Sequence, residues 1–233
     1  MNLRDYRPFA AASVVAFSFT LTAMAQNTAS IQGSAVDSAT GKAVPGAVVI
    51  ASRTTTPAAR GVATSGYDGT YQILSLPAGT YNICLQVPGD GYLATCHWGS
   101  TATTVTLAAG QKLTGTKVAL KAGSILKVHL DDPGQLLNQK TKKGYAPHLV
   151  MGVWSGGMFY PAHVAVKTAV TADYQVTIPF DTSLKFTIQS MSLGLGNAGK
   201  TALAANTDQQ IFQHASAETT HVGFSYSILS ALQ

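Results

Sequence analysis

The feature that most constrains the fold is a series of short alternating segments in residues 31–87, each followed by a turn. Residues 31–35 alternate apolar and polar side chains, which is the period of a β-strand with one buried face. Asp68 and Gly69 form an Asp-Gly pair between two such segments, and this pair favours a hairpin. About seven short strands in roughly 90–100 residues are typical of a β-sandwich. We therefore predict an all-β fold.

A set of strand and turn motifs extends through residues 30–121. The set comprises Gly33, Asp37, Thr40-Gly41-Lys42, Pro45-Gly46-Ala47, Asp68-Gly69, Tyr71, Leu76-Pro77-Ala78-Gly79-Thr80-Tyr81 and Gly91-Tyr92. Together these motifs resemble the carboxypeptidase regulatory-like domain, a transthyretin-like (prealbumin-like) β-sandwich carried by many exported bacterial proteins. The resemblance implies a structural, sugar-binding or docking module with no shared active site. It implies no peptidase activity, because the sequence shows no zinc-binding partner domain.

The start of the sequence has the composition of a secretory signal peptide. Arg4 and Arg7 precede a short apolar stretch, and residues 23–25 form a small-x-small cleavage site. The stretch is short for a membrane span, which needs about 20 residues. We therefore predict a cleaved signal peptide over residues 1–25 and an exported protein that is secreted, periplasmic or on the cell surface. No transmembrane segment is expected in the mature chain.

The second half of the sequence continues the alternating pattern after residues 121–123. Residues 71–85 and 174–188 are similar in their order of aromatic, apolar and proline residues. This similarity favours a second, divergent sandwich, and a chance likeness between alternating strands is the alternative. We predict two consecutive β-sandwich domains, over residues 26–121 and 122–233.

Local patterns in the second half predict one hairpin and few helices. Residues 149–154 and 159–167 read as two strands joined by a turn at residues 155–157. No long 3.6-residue periodicity is present, so helices should be few and short.

Residues 194–201 match the P-loop pattern, and the first six of them also match the dinucleotide-binding fingerprint. A P-loop binds phosphate through backbone N–H groups at the start of a helix that follows a buried parallel strand. Here residues 184–189 alternate like an antiparallel strand, and no later apolar run ends in an aspartate that could hold magnesium. We therefore predict a glycine-rich sandwich loop, and the context argues against nucleotide binding.

The remaining chemistry of the sequence predicts no catalytic residue, metal site or cofactor. The six histidines lack the spacing of known metal motifs, and two cysteines cannot form a zinc knuckle. Glu218 is the only glutamate, and the aspartates fall mainly in turns. The net charge is a mild +5, and the cluster of Lys140, Lys142 and Lys143 is not part of a wider basic stripe. Nucleic acid is therefore not an expected partner.

Aromatic side chains near predicted turns are the candidate ligand-binding residues. Tyr92, His97 and Trp98 lie in one glycine-rich stretch, and Trp154 lies beside another turn. Exposed rings can stack on sugars, whereas buried rings only pack the core or the loops. The first hypothesis is thus a non-enzymatic, exported structural or interaction module of the cell envelope, with an envelope protein or polysaccharide as partner. The alternative is a carbohydrate-binding module that uses these aromatic side chains.

The two cysteines predict a disulfide between Cys84 and Cys96. Export places the chain in an oxidising compartment, where paired cysteines usually bond. Cys84 alternates with apolar residues and so lies on the face opposite the core. A five-residue loop over residues 88–92 would place Cys84 opposite Cys96, whereas a turn tighter by one residue would place Thr95 there.

Overall fold

The structure is a computed structural model and describes residues 28–232 except residues 88, 90, 99, 141–143 and 215–220. The predicted signal peptide lies outside the described residues, as do Lys142, Lys143 and Glu218. The described chain forms sixteen strands and two three-residue 3-10 turns, Leu136–Asn138 and Ala204–Asn206, which confirms the all-β prediction. The strands are β1 Ala29–Asp37, β2 Val48–Arg53, β3 Arg60–Thr64, β4 Thr70–Leu76, β5 Gly79–Gln86, β6 Thr103–Leu107, β7 Lys112–Leu120, β8 Ser124–Asp131, β9 Val150–Ser155, β10 Met158–Pro161, β11 His163–Lys167, β12 Thr171–Ile178, β13 Thr182–Gln189, β14 Leu193–Asn197, β15 Thr207–His214 and β16 His221–Ala231.

Strands β1–β7 form the N-terminal sandwich. One sheet has the order β4-β1-β7 and the other has the order β3-β2-β5-β6. Alternate residues of both sheets are buried between them, including Ile31, Ile73 and Tyr81. The sequence predicted about seven strands, and seven are present. The apolar residues of the alternating pattern are the ones buried in this core.

Strands β8–β16 form the C-terminal sandwich. Its sheets have the orders β11-β12-β8-β16-β14 and β10-β9-β13-β15. A separate cluster of buried side chains lies between them, including Leu126, Val153 and Phe186. Residues 121–123 connect the two sandwiches. The bounds given above for two domains remain a prediction.

The two sandwiches have the same strand order. In each, the first strand lies between an antiparallel and a parallel neighbour: β1 pairs with β4 and β7, and β8 pairs with β12 and β16. In each, the second sheet is a hairpin followed by two more antiparallel strands. Strands β11 and β14 are additions at the two edges of the larger sheet. The sequence similarity noted between residues 71–85 and 174–188 falls on equivalent strands.

Two predictions about how neighbouring strands connect are wrong. Asp68 and Gly69 form a turn, but it leads from β3 to β4, which belong to different sheets, so no hairpin forms there. The single strand predicted over residues 159–167 is two strands, because β10 ends at Pro161 and β11 pairs with β12 in the other sheet. Proline has no N–H to donate to a ladder, so it favours the end of a strand. The predicted turn at residues 155–157 joins β9 to β10 as expected.

Candidate functional site

The segment after β5 is held to that strand by the predicted disulfide. Cys84 and Cys96 are bonded, with their Cα atoms 5.4 Å apart. The Thr95 N–H donates to the Leu85 carbonyl at 2.9 Å, and the Leu85 N–H donates to the Thr95 hydroxyl at 2.9 Å. This is the register in which Cys84 faces Cys96. The disulfide prediction is therefore confirmed, and the loop beyond Cys96 is fixed to the N-terminal sandwich.

This loop carries Trp98 to the C-terminal sandwich. The Trp98 ring stacks on the Tyr160 ring with centroids 3.8 Å apart and planes 12° apart. The backbone N–H of Trp98 donates to the Tyr160 hydroxyl at 3.1 Å. Trp98 has a φ of +57°, a left-handed conformation that a bulky residue keeps only where its surroundings hold it. His97 completes the contact, with its ring 5.7 Å from that of Tyr160 and edge-on to it.

A cavity of about 380 Å³ lies beside this stack, between the two sandwiches. Its lining includes the predicted residues Tyr92, His97 and Trp98, together with Phe159 and Tyr160 of β10. Tyr92 is half-buried and packs against the N-terminal core. The structure thus brings three of the four predicted ligand-binding residues together. The fold, rather than the sequence order, adds Tyr160, which lies 62 residues from Trp98 along the chain.

Trp154, the fourth predicted residue, belongs to a different surface. It lies on the outer face of the sheet β10-β9-β13-β15, with 42% of its surface exposed, and its ring centroid is 5.1 Å from that of Phe159. The strand registers place four residues side by side across this face. We call them the outer row: Phe159, Trp154, Lys185 and Ile211. Ile211 is 79% exposed. Sequence reasoning missed Lys185 and Ile211, because only the register of β13 and β15 aligns them with Trp154.

Several aspartates build turns or cap helical turns. The Asp37 carboxylate accepts from the Thr40 N–H and hydroxyl at 2.7 and 2.8 Å, and this hydroxyl is the main cause that lowers the pKa of Asp37. Asp68 is bound in the same way by Thr70, which lowers its pKa. Asp132 accepts two backbone N–H groups at the start of Leu136–Asn138, each at 2.8 Å. These carboxylates are therefore engaged in local structure, as the sequence predicted.

His129 is the histidine in closest contact with carboxylates among the described side chains. Its Nδ1 lies 2.6 Å from Asp173 and its Nε2 lies 3.3 Å from Asp131. The hydrogen bond with Asp173 is the main cause that raises the pKa of His129. Both ring nitrogens face carboxylates, so neither is placed to activate a hydroxyl nucleophile. Within the described part of the chain, no group of His, Cys, Asp or Glu side chains is arranged to hold a metal ion.

The P-loop match is a strand and a turn. Leu193–Asn197 is β14 and pairs with β16, so the prediction of a loop is wrong for this part. Asn197 then folds the chain back: its carbonyl accepts the Lys200 N–H and its side chain accepts the Thr201 N–H, both at 2.9 Å. The backbone N–H groups of Asn197, Lys200 and Thr201 are therefore already bonded within the turn, whereas a phosphate needs such groups free.

The N-terminal part of the chain matches the sequence model of one known domain family. The sequence model of the carboxypeptidase regulatory-like domain matches residues 30–121. No curated protein sequence matches the chain.

Solved structures of low identity are also similar to this chain. The Bacillus anthracis TIE protein is 11% identical over 87% of this chain and 34% of its own length, with a TM-score of 0.33. A streptococcal ancillary pilin is 12% identical over 86% of this chain and 63% of its own length, with a TM-score of 0.42. A DUF3823 family protein from Parabacteroides merdae is 12% identical over 80% of this chain and 74% of its own, with a TM-score of 0.30. Similarity at this level carries no function from those proteins to this one.

Proposed function

We propose that the protein, whose residues 30–121 match the sequence model of the carboxypeptidase regulatory-like domain, is a non-enzymatic, exported interaction module of the cell envelope. The observation that carries this proposal is the outer row on the C-terminal sandwich. Apolar side chains that lie together on an exposed sheet face are typical of surfaces that bind a partner. Trp154 and Ile211 lie on either side of Lys185, so the row supplies apolar area and one charge for orientation.

The state of the polar side chains supports a role without catalysis. Asp37, Asp68 and Asp132 are bonded to nearby backbone groups, and both nitrogens of His129 face carboxylates. A hydrolytic site needs a base within reach of a nucleophile or of a water. The described residues show no such arrangement around His129.

The disulfide supports export. Bonds of this kind persist in oxidising compartments outside the cytosol, and the Cys84–Cys96 bond fixes the loop whose Trp98 stacks on Tyr160 of the C-terminal sandwich. In the described residues, no helix has the length and apolar character needed to span a membrane. The disulfide and the predicted signal peptide together support a place in the periplasm, on the cell surface or in the medium.

A carbohydrate-binding module is the second candidate function, and the exposed ring of Trp154 beside Phe159 favours it. The two candidates differ in what they require of Ile211. Stacking on a sugar needs the Trp154 ring and not the distant aliphatic side chain, whereas an apolar protein interface uses both.

The test compares Trp154→Ala and Ile211→Ala in the purified mature protein and in the native host. For an interaction module, we expect both variants to reduce photo-crosslinking from position 185 to an envelope protein. Tyr67→Ala is the matched control, because Tyr67 is 99% exposed and lies on the N-terminal sandwich. Binding to insoluble polysaccharides that only Trp154→Ala abolishes would establish the second candidate instead. If neither variant changes the crosslinking and the unaltered protein binds no polysaccharide, both proposed uses of the outer row are refuted.

A further inference from the structure

A second concave surface lies next to Trp98, apart from the outer row. It is a cleft of about 540 Å³ between the loop after β5, the start of β6 and the end of β7. Strands β6 and β7 are edge strands of their sheets, so the cleft opens along the side of the N-terminal sandwich. We call it the lysine cleft, and its polar and aromatic lining consists of Thr95, Trp98, Ser100, Thr101, Thr103, Lys117 and Lys121.

Trp98 supplies an aromatic wall to this cleft. Tyr160 covers one face of the Trp98 ring and does not line the cleft. Trp98 lines both this cleft and the cavity beside the stack. The stack on Tyr160 holds the ring, and the Cys84–Cys96 bond holds the chain two residues before it. The ring is therefore in place before any ligand arrives. A pre-organised ring loses little conformational entropy when a ligand binds to it.

Two lysines lie on the opposite wall. Lys117, Ala119 and Lys121 alternate on the exposed face of the chain at the end of β7, while Val118 and Leu120 point into the core. The two lysines are four positions apart along an extended chain, which spaces their Cα atoms by about 13 Å. The small Ala119 between them leaves this stretch of the wall open. None of the residues that line the cleft is acidic.

Apart from Thr95, whose hydroxyl accepts the Leu85 N–H, the polar side chains of the cleft lack protein partners. Across the described part of the chain, no side chain or backbone group forms a hydrogen bond or ion pair with the side chains of Ser100, Thr101, Thr103, Lys117 or Lys121. In contrast, the neighbouring Thr104 hydroxyl donates to Asn82 at 3.0 Å. Three hydroxyls and two ammonium groups beside an aromatic ring are thus available to a ligand.

We propose that the lysine cleft binds an acidic polysaccharide. The Trp98 ring offers a surface for the apolar face of a sugar ring, and the hydroxyls can exchange hydrogen bonds with sugar hydroxyls. Lys117 and Lys121 form charge-assisted hydrogen bonds with carboxylates on separate sugar units of the chain. A neutral glycan would leave both ammonium groups unpaired, so the cleft distinguishes acidic from neutral polymers. This site and the outer row share no residue, and each can fail without the other.

The experiment measures binding of polygalacturonate to the purified, disulfide-bonded mature protein by affinity electrophoresis. Dextran serves as the neutral polymer and poly-glutamate as the polyanion without sugars. We expect Lys117→Gln/Lys121→Gln to weaken polygalacturonate binding about tenfold or more, since two charge-assisted contacts are lost. Lys42→Gln/Lys200→Gln is the matched control, because it removes two exposed lysines and the same net charge elsewhere on the surface.

Each outcome decides the proposal. Loss of polygalacturonate binding in the cleft variant, with binding retained in the control, supports it. Equal losses in both double variants would show attraction by net charge and overturn it. Equal binding of poly-glutamate, or no binding of polygalacturonate by the unaltered protein, would also overturn it. Trp98→Phe keeps a ring on Tyr160, and its melting temperature reports whether the loop stays in place. Because phenylalanine also offers a ring to a sugar, unweakened binding by this variant supports an aromatic wall, whereas unweakened binding by a stable Trp98→Leu variant would overturn it.

Discussion

The two sandwiches share one strand order but fill the same core position differently. In the N-terminal sandwich, Gly33 pairs with Tyr71, and the Tyr71 hydroxyl donates to the Thr116 carbonyl at 3.0 Å. In the C-terminal sandwich, Val128 pairs with Tyr174 at the equivalent place. Val128 is fully buried and Tyr174 is half-buried, so an aliphatic side chain fills the space that a tyrosine fills in the first sandwich.

This difference shows which features of the sequence specify the fold and which only complete its packing. Both halves have the same alternation of apolar and polar residues and the same order of strands, although their cores are built differently. The C-terminal core uses a stack of Phe186 on Phe224, with centroids 4.7 Å apart, where the N-terminal core uses a buried tyrosine with a hydrogen bond. The period of the pattern sets the topology, and volume complementarity then gives each core its own solution.

The largest effect is expected from Gly33→Ala, which gives the first sandwich a side chain where the second has Val128. The new Cβ would lie 1.9 Å from the Thr116 carbonyl oxygen and 2.6 Å from the Tyr71 hydroxyl. A backbone atom at that distance cannot move aside without disturbing the pairing of β1 with β7. We expect a loss of about 3 kcal/mol or more in the free energy of unfolding, measured by urea denaturation.

Gly199→Ala is the control for this change. The new Cβ there meets only the Asn197 side chain at 3.4 Å, so its effect should lie within about 0.5 kcal/mol. If Gly33→Ala were equally mild, the two sandwiches would tolerate the same side chain at this position, and the contrast between them would not hold.

The second-largest effect concerns the disulfide, which is present in the N-terminal sandwich and not in the C-terminal one. The Cys84–Cys96 bond closes a short loop in the N-terminal sandwich, with a sequence separation of 12 residues. Both cysteines of the chain are used there. Cys84→Ser/Cys96→Ser should lower stability by about 2–3 kcal/mol. Hydrogen exchange should show the loss in the amides of β5 and not in those of the equivalent strand β13.

Mass spectrometry of the exported, non-reduced protein checks the bond itself. Two thiols that react with an alkylating agent in the folded chain would contradict it. A loss spread evenly over β5 and β13 would instead show that the two sandwiches unfold as one unit.

The smallest effect concerns His129 of the C-terminal sandwich, whose pKa is raised mainly by the hydrogen bond with Asp173. A pKa that is higher in the folded state contributes stability at low pH, and this contribution is lost as the pH rises through the folded-state pKa. Because these side chains are nearly half exposed, the change should be on the order of a few tenths of a kcal/mol.

NMR titration of the imidazole should therefore show a raised pKa that Asp173→Asn brings back down. Asp181→Asn, in the exposed turn between β12 and β13, should leave the imidazole titration unchanged. A raised pKa that persists in Asp173→Asn would mean that another group causes it.

The fold was largely predictable because its signals are local. The alternation in residues 31–35 and the hydrogen bonds of Asp37 involve residues only a few positions apart. The same is true of the alternation around Cys84, which places that residue on the face opposite the core. The outer row and the lysine cleft depend on distant parts of the chain, and no local pattern aligns Trp154 with Ile211. The turn at Asp68 was predictable, but the sheet that receives the next strand was not, because pairing partners are set by the whole core.

The parallel pairing of the first and last strands determines how each sandwich responds to a pulling force. Ser30 of β1 lies beside Lys112 of β7, and Asp37 lies beside Leu120, so the two ends of the sandwich emerge at opposite ends of one ladder. The pairing of β8 with β16 repeats this arrangement. Tension applied along the chain would therefore load all the hydrogen bonds of a ladder in shear at the same moment, instead of opening them one after another. A protein held between the envelope and a partner would resist pulling for this reason.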